Sequence, residues 1–406
     1  MMTTPSTQRT PSAPDVLAPA RLGPVTLRNR VIKSATFEGK APGALVSDEL
    51  IDFHVAVAEG GVGMTTVAYC AVAPEGRTEL NQIYWRPEAL PGLRKLTDAV
   101  HKTGAKVSAQ IGHAGPVANA ASTKMTALAP TRMFGPQAMA FTRAADEDDI
   151  QRIITAHADA AWYAHEVGFD AVEVHFGHNY LVSSFLNPAL NRRTDSWGGS
   201  LENRARFARL IAEAIRKRVG NKIAVLAKVN MEDGVEGGFT VSESISFAKM
   251  LEADGHLDAL ELTGGSSLKN PMYLFRGDVP LEQMADSQGP LLGLGMRIFG
   301  RLLFKSYPYE RTYFLEQARQ FRAALHMPLI LLGGITDAAA MDTAMSEGFE
   351  FVAMGRALLR EPDLINKIVA DRSTQSKCTH CNRCVPTIFS GTHCPLIAEE
   401  AQAAAR

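Results

Sequence analysis

The chain reads as a (β/α)8 TIM barrel of the α/β class, with extended loops and a short Cys-rich C-terminal segment. Three observations predict this. Eight short runs rich in Val, Ile, Leu and Ala recur along the 406 residues. A longer amphipathic stretch follows each run. No G-x-G-x-x-G follows the first run, as an open dinucleotide-binding sheet would ask.

The runs are VIKSA (31–35), MTTVAY (64–69), KVSAQI (106–111), AVEVHF (171–176), AVLAKV (224–229), ALELTG (259–264), PLILLG (328–333) and FVAMG (351–355). They show little polar alternation, as parallel strands covered on both faces require. Helices are expected near 48–60, 88–103, 146–167, 200–219, 240–254, 311–325, 336–347 and 361–371. Ser47 before Asp48 and Glu49 suits the positive end of the first helix, Ser200 caps the one that begins at Leu201, and Thr336 followed by Asp337 opens the seventh. Gly104, Gly168, Gly220, Gly255 and Gly348 sit where a helix must stop before the next strand. The expected division is a flexible N-terminal tail over 1–17, a barrel over 18–372 and the Cys-rich segment over 373–406. Two connections are long, 112–145 and 265–310, and long loops usually shape the active-site face of a barrel. The second is apolar and aromatic enough to be a lid or the subunit contact of a homo-oligomer.

Hydrophobic residues make up 46% and charged residues 21%, which excludes wholesale disorder. Lys and Arg (42) balance Asp and Glu (43), so charge gives no reason to expect nucleic acid or a membrane surface as partner. No apolar run approaches the ~20 residues of a membrane span. The opening MMTTPSTQRTPSAPDV has no apolar core of a secretory signal, so a cytoplasmic location is expected. Cys70 reads as a buried core thiol. The other cysteines, Cys378, Cys381, Cys384 and Cys394, are spaced C-x2-C-x2-C-x9-C. Thiolates at these spacings suit an iron–sulfur cluster, a structural zinc (Zn) ion, or free thiols, and the spacing leaves all three open.

The chemistry concentrates at run ends, where barrels place it. His175 and His178 are followed by Tyr180. Two imidazoles can hold one carbonyl or phenolate oxygen and polarise a conjugated double bond. A nearby tyrosine hydroxyl can protonate the carbon left electron-rich by hydride attack. The plainer alternative is a pair of packed or capping histidines; zinc lacks a third ligand nearby. Gly333 and Gly334 end the seventh run, and Gly355 and Arg356 the eighth, a candidate phosphate cradle with a charge-assisted fork; the alternative, glycines serving only tight turns, explains two of them but not their pairing on adjacent strands. Lys228 lies inside the fifth run, where a lysine is costly unless paired. Gln110, ending the third, can both donate and accept.

From about 18 to 394 the chain resembles the old yellow enzyme family of FMN-dependent ene-reductases. His175-x-x-His178-x-Tyr180 is similar to the family's substrate-binding pair and proton donor. Asn191, Arg192, Asp195, Gly198, Gly199, Ser200, Asn203 and Arg204 resemble its signature after strand four, and LRNRVIKSA and VAPEGR resemble it too. The resemblance implies FMN as cofactor, NAD(P)H as hydride donor and a small-molecule acceptor, an α,β-unsaturated carbonyl or similar activated alkene. It places Lys228 at the flavin's basic residue, more usually arginine, and Gln110 at the pyrimidine edge. It lets Ala35, Thr36 and Ala68 touch the ring. Phe37 stands where many relatives carry Thr or Cys. Gly112 stands where they carry a ring-flanking tryptophan, so the pocket is expected to be open there. The cysteines resemble the 2,4-dienoyl-CoA reductase branch, whose 4Fe-4S cluster passes electrons to FMN, although that branch has three residues between its second and third cysteines. Two other functions are carried forward. One is FMN-dependent oxidation, demethylation or aromatisation of a natural-product intermediate. The other is a flavin-free aldolase or isomerase with Lys228 as Schiff base.

Overall fold

In the computed structural model, which describes residues 13–135, 139–288 and 290–405, eight parallel strands close into a barrel. They are β1 (Val31–Lys33), β2 (Met64–Ala71), β3 (Lys106–Gly112), β4 (Ala171–Phe176), β5 (Ala224–Asn230), β6 (Ala259–Thr263), β7 (Leu329–Leu332) and β8 (Phe351–Met354). Each pairs with its neighbour in the chain, and β8 closes on β1. Every residue of β2, β4, β5, β6 and β8 is buried, which is why those runs read as unbroken apolar stretches.

The helices α1 (Asp48–Glu59), α2 (Leu90–His101), α3 (Glu147–Glu166), α4 (Leu201–Val219), α5 (Val241–Asp254), α6 (Leu315–Ala324), α7 (Ala338–Ser346) and α8 (Leu364–Ala370) fall where expected, give or take their ends. Ser47 and Ser200 cap α1 and α4 through their side chains. At α7 the cap is Asp337, not Thr336: its carboxylate accepts the Ala340 N–H. The sixth helix starts later than expected because Thr312 takes a left-handed φ of +52°. The five expected stop glycines all have positive φ.

An N-terminal hairpin, Ala20–Leu22 with Val25–Leu27, was not anticipated; strands of three residues are too short to show a period. Leu22 and Leu27 plug one end of the barrel against Ile32, Leu226, Ile330 and Phe351. The expected tail falls largely on residues 1–12, outside the described residues, and within its remainder Val16 is buried.

The first long connection folds into small β pairs, one holding Phe134 against Phe141. The second contains the helix Pro290–Leu303, which exposes Leu294, Ile298, Phe299 and Leu302, a face that fits a lid or a subunit contact equally. The Cys-rich segment lies against the barrel: the Thr392 backbone N–H donates to the Glu38 carbonyl, and its hydroxyl to that of Phe37. Among the described residues no helix is long and apolar enough to cross a membrane.

Candidate active site

Beyond β4 the chain turns through His178 and Asn179 into a short helix, Leu181–Leu186. Both turn residues are left-handed, with φ of +59° and +58°, a conformation asparagine tolerates but histidine adopts less readily unless its surroundings support it. The surroundings here centre on Asp233, which is buried. Its carboxylate accepts from the side-chain amides of Asn179 (3.0 Å), Asn187 (2.6 Å) and Asn230 (2.6 Å), and from the Phe239 N–H (3.1 Å). Asn230 in turn accepts the His178 N–H at 3.0 Å. The sequence offers little to flag Asp233: Asn230 and Phe239 are near it in the chain, but Asn179 and Asn187, which tie it to the His178 turn, lie 54 and 46 residues before it.

This turn brings the three sequence-predicted residues together. The His175 ring lies 5.0 Å from that of His178 and 4.4 Å from that of Tyr180, centroid to centroid. His178 Nε2 is 3.0 Å from the Thr263 hydroxyl, and His175 Nδ1 is buried without a partner. Burial, reinforced by the Lys228 charge, pushes both imidazoles down, His178 to about 3. They are neutral at physiological pH, each able to donate from one ring nitrogen. Burial pushes Tyr180 up to about 12, so it keeps its proton. Its hydroxyl has no hydrogen-bond partner among the described residues.

The expected opening at Gly112 is filled. A Cβ there would come within 3.0 Å of Tyr69 Cε2 and 3.2 Å of His175 Cβ. Tyr69 packs edge-on against Tyr180, with centroids 5.1 Å apart, and its own hydroxyl donates to the Gly76 carbonyl at 2.8 Å. The aromatic wall thus comes from β2 rather than from β3.

Lys228 has partners within the barrel itself. Its Nζ lies 2.5 Å from Glu261, 3.2 Å from Glu173 and 3.1 Å from the Ser34 hydroxyl. Register places Lys228 beside Glu261 on β6 and Glu173 beside Gln110 on β3, whose Nε2 donates to it at 2.5 Å. Burial and the neighbouring Glu261 push Glu173 up to about 8. Burial opposes the ionisation of Glu261, yet Lys228 holds that carboxyl below its usual range, and the two carboxyls together raise Lys228. Near neutral pH the triad is one ammonium, one carboxylate and one carboxylic acid. A lysine held protonated is a poor Schiff-base nucleophile. Both glutamates were visible in AVEVHF and ALELTG, where a buried carboxyl is as anomalous as a buried lysine.

At the ends of β7 and β8, Gly333 and Gly334 have φ of +101° and +76°. A Cβ on Gly333 would strike Phe314 at 2.6 Å and Tyr313 at 2.8 Å, so this backbone lies against the following loop as only glycine allows. A Cβ on Gly355 would meet only Thr36 Oγ1, at 3.9 Å. Arg356 Nη1 donates to the Arg276 carbonyl at 2.9 Å and to Asn382 Oδ1. Among the described residues no carboxylate pairs with Arg356 or Arg276, and Arg276 Nε is buried without a partner. Guanidinium charge with no carboxylate partner beside glycine turns fits a phosphate, although Arg276 also lies over the rings of Tyr273, Tyr307, Tyr313 and Phe314. Ala35, Thr36 and Ala68 follow β1 and line β2 on the same face; the Ala68 N–H already donates to Glu38 at 3.0 Å. With Gln110 and Lys228 at the ends of β3 and β5, this donor set fits FMN.

The four C-terminal cysteines are free, partly buried thiols. Burial raises Cys378 and pushes Cys384 up to about 12. Cys378 Sγ lies 3.9 Å from His380 Nδ1. Among the described residues no three His, Cys, Asp or Glu side chains converge as a metal-ligand set. Cys70 is buried in the core and its thiol is raised, as a packing thiol should be.

The profile of the NADH:flavin oxidoreductase / NADH oxidase family matches residues 15–262, more than half of the chain. The chain belongs to this family, that of the old yellow enzymes. Within the family it is 53% identical over 385 residues to the 4,4'-dithiodibutanoate disulfide reductase of Rhodococcus erythropolis, covering 95% of this chain and 96% of that protein. It is 31% identical to the metal reductase of Desulforamulus reducens over 92% of this chain, but spans only 52% of that protein. A solved complex of 2-naphthoyl-CoA reductase with 2-naphthoyl-CoA is 26% identical with a TM-score of 0.80, covering 94% of this chain and 56% of that one. An old yellow enzyme homologue from Zymomonas mobilis, 20% identical, shares the fold with a TM-score of 0.72 over 94% of this chain and 98% of that one. Family membership makes the protein an NAD(P)H-dependent flavin oxidoreductase using FMN, and sets aside the flavin-free aldolase or isomerase.

Proposed function

We propose that this oxidoreductase reduces an α,β-unsaturated carbonyl or similar activated alkene, with Tyr180 as proton donor. The observation that supports this reading most is the Tyr180 hydroxyl: protonated, without a partner among the described residues, and beside two neutral imidazoles. FMN, when bound, supplies the two-electron chemistry, taking hydride from NAD(P)H and giving it to the acceptor. In this reading Gly333, Gly334, Gly355 and Arg356 hold the phosphate, and Ala35, Thr36, Ala68, Gln110 and Lys228 face the ring. His175 and His178 donate hydrogen bonds to the acceptor oxygen and draw electron density from the conjugated double bond. Hydride adds to the β-carbon. Tyr180 gives its proton to the α-carbon and recovers one from water.

A disulfide acceptor is the second reading, favoured by the 53% identity to a disulfide reductase over nearly the whole of both chains. Hydride attack on one sulfur breaks the S–S bond, and the other sulfur leaves as a thiolate that takes the Tyr180 proton. One disulfide, one hydride and one proton give two thiols. The four C-terminal cysteines take no part in either reading.

The test is reoxidation of the NAD(P)H-reduced protein, followed anaerobically by flavin absorbance, with cyclohexenone and with 4,4'-dithiodibutanoate as acceptors. Rapid recovery with the enone supports the first reading. Recovery with the disulfide alone replaces it with the second, and recovery with neither overturns both.

A further inference from the structure

The chemistry above leaves the Cys-rich segment unused, yet one of its side chains reaches the phosphate end of the site. Asn382 lies between Cys381 and Arg383 and is only 1% exposed. It sits in a left-handed turn with φ of +55°, and His380 before it has φ of +59°. Asparagine tolerates that conformation, so a turn alone would explain the residue type. A turn does not explain where the amide goes. Asn382 Oδ1 accepts from Arg356 Nη1. Its Nδ2 donates to the carbonyls of Phe275 and, at 2.8 Å, of Asp278. Those two residues flank Arg276, whose carbonyl is the other acceptor of Arg356 Nη1. One buried amide therefore fixes both acceptors of Arg356 Nη1.

A second contact ties the same loop to the other half of the cradle. The His380 ring lies flat on Tyr309, with centroids 3.4 Å apart and planes 8° apart. The Tyr309 hydroxyl approaches the Gly334 carbonyl at 3.4 Å. The His380 carbonyl accepts the Asp278 N–H at 3.1 Å. The turn around Cys381 thus reaches Arg356 directly and Gly334 through Tyr309.

We infer that Asn382 is a positioning residue for the FMN phosphate: it orients Arg356, and so makes the Cys-rich segment a working part of the cofactor site. This rests on the reading of Arg356 as the phosphate-binding arginine. A free arginine loses several rotors on binding an anion, and one already pinned by hydrogen bonds loses fewer.

The experiment compares FMN with riboflavin, which lacks the phosphate. Full-length protein is stripped of flavin, and both affinities are measured by fluorescence quenching for wild type, Asn382→Ala, Arg356→Ala and the double variant. Asn382→Ala should weaken FMN about tenfold, or about 1.4 kcal/mol, while riboflavin binding stays within about twofold. It should add nothing in the Arg356→Ala background. Retained riboflavin binding also shows that the site is folded. Asn382→Asp, which sets a carboxylate against the guanidinium, should weaken FMN further than alanine does and again spare riboflavin. Equal losses of FMN and riboflavin, or no loss of FMN, would overturn the inference. If Arg356→Ala discriminates between the flavins and neither Asn382 variant does, the inference alone fails. If Arg356→Ala does not discriminate, the phosphate reading fails and takes the inference with it.

Discussion

At the end of β4, the three candidate reacting side chains come from six consecutive residues, His175 to Tyr180, and amide hydrogen bonds to one buried carboxylate hold the turn between them. At the ends of β7 and β8 the arrangement is reversed. The cradle itself is three glycines and one arginine, and its supports come from Arg276 and Asn382, about 80 residues before and 26 after Arg356 in the chain. The first end suits an uncharged acceptor that must be polarised and protonated. The second suits an anion. The difference is physical: neutral imidazoles and a protonated phenol need exclusion of water and fixed angles, whereas phosphate needs positive charge with no competing carboxylate.

If the two ends act separately, substitutions at one should spare the other. The largest effect is expected from Tyr180→Phe. Acceptor reduction should slow by about 10²–10⁴-fold while reduction of the flavin by NAD(P)H proceeds nearly unchanged, with both half-reactions read by stopped-flow absorbance. An equal effect on the two half-reactions would remove Tyr180 from its role. Asp233→Ala comes next. It strands three side-chain amides and an N–H in a buried place and releases the strained His178 turn. Denaturant unfolding should show a loss of about 1–3 kcal/mol, and acceptor KM should rise with FMN affinity unchanged. A matching loss of FMN affinity would show the two ends to be one coupled unit.

The smallest effect concerns the layer beneath both ends. Glu173 is pushed up to about 8 in the fold, against 4.5 for an ordinary glutamate. Between those values the folded chain binds more protons at this site than the unfolded chain, so its contribution to stability falls as pH rises from about 4.5 through about 8 and is level above. Glu173→Gln should remove that slope. The stability difference between wild type and variant should change by about 1.4 kcal/mol or more between about pH 5 and 8, read from urea midpoints. A wild-type slope that survives the substitution would contradict the assignment.

The barrel was legible because a strand buried on both faces leaves an apolar run that nothing else in the chain imitates, and all eight runs became strands. The plugging hairpin was not, since Leu22 and Leu27 become informative only once the barrel floor exists. In the site, a motif confined to one turn survives translation from sequence to space, as His175, His178 and Tyr180 do. Lys228 is anomalous in the sequence, but its partners within the barrel cannot be read there: Glu173 and Glu261 sit on neighbouring strands, and pairing register is a property of the closed sheet. Gly112 was misread for the same reason, because Tyr69 reaches it from β2. Asp233 and Asn382 match no motif, and each matters chiefly through groups far away in the chain, Asn179 and Asn187 for the first and Arg356 and Phe275 for the second.

A flavin held between these two ends is what both halves of the site require, and an absorption spectrum of the purified full-length protein tests that directly. The visible bands of bound flavin should be present, bleach on anaerobic addition of NADPH or NADH, and return when the enone or the disulfide is added. A protein that stays colourless after incubation with excess FMN and removal of the free flavin would contradict it.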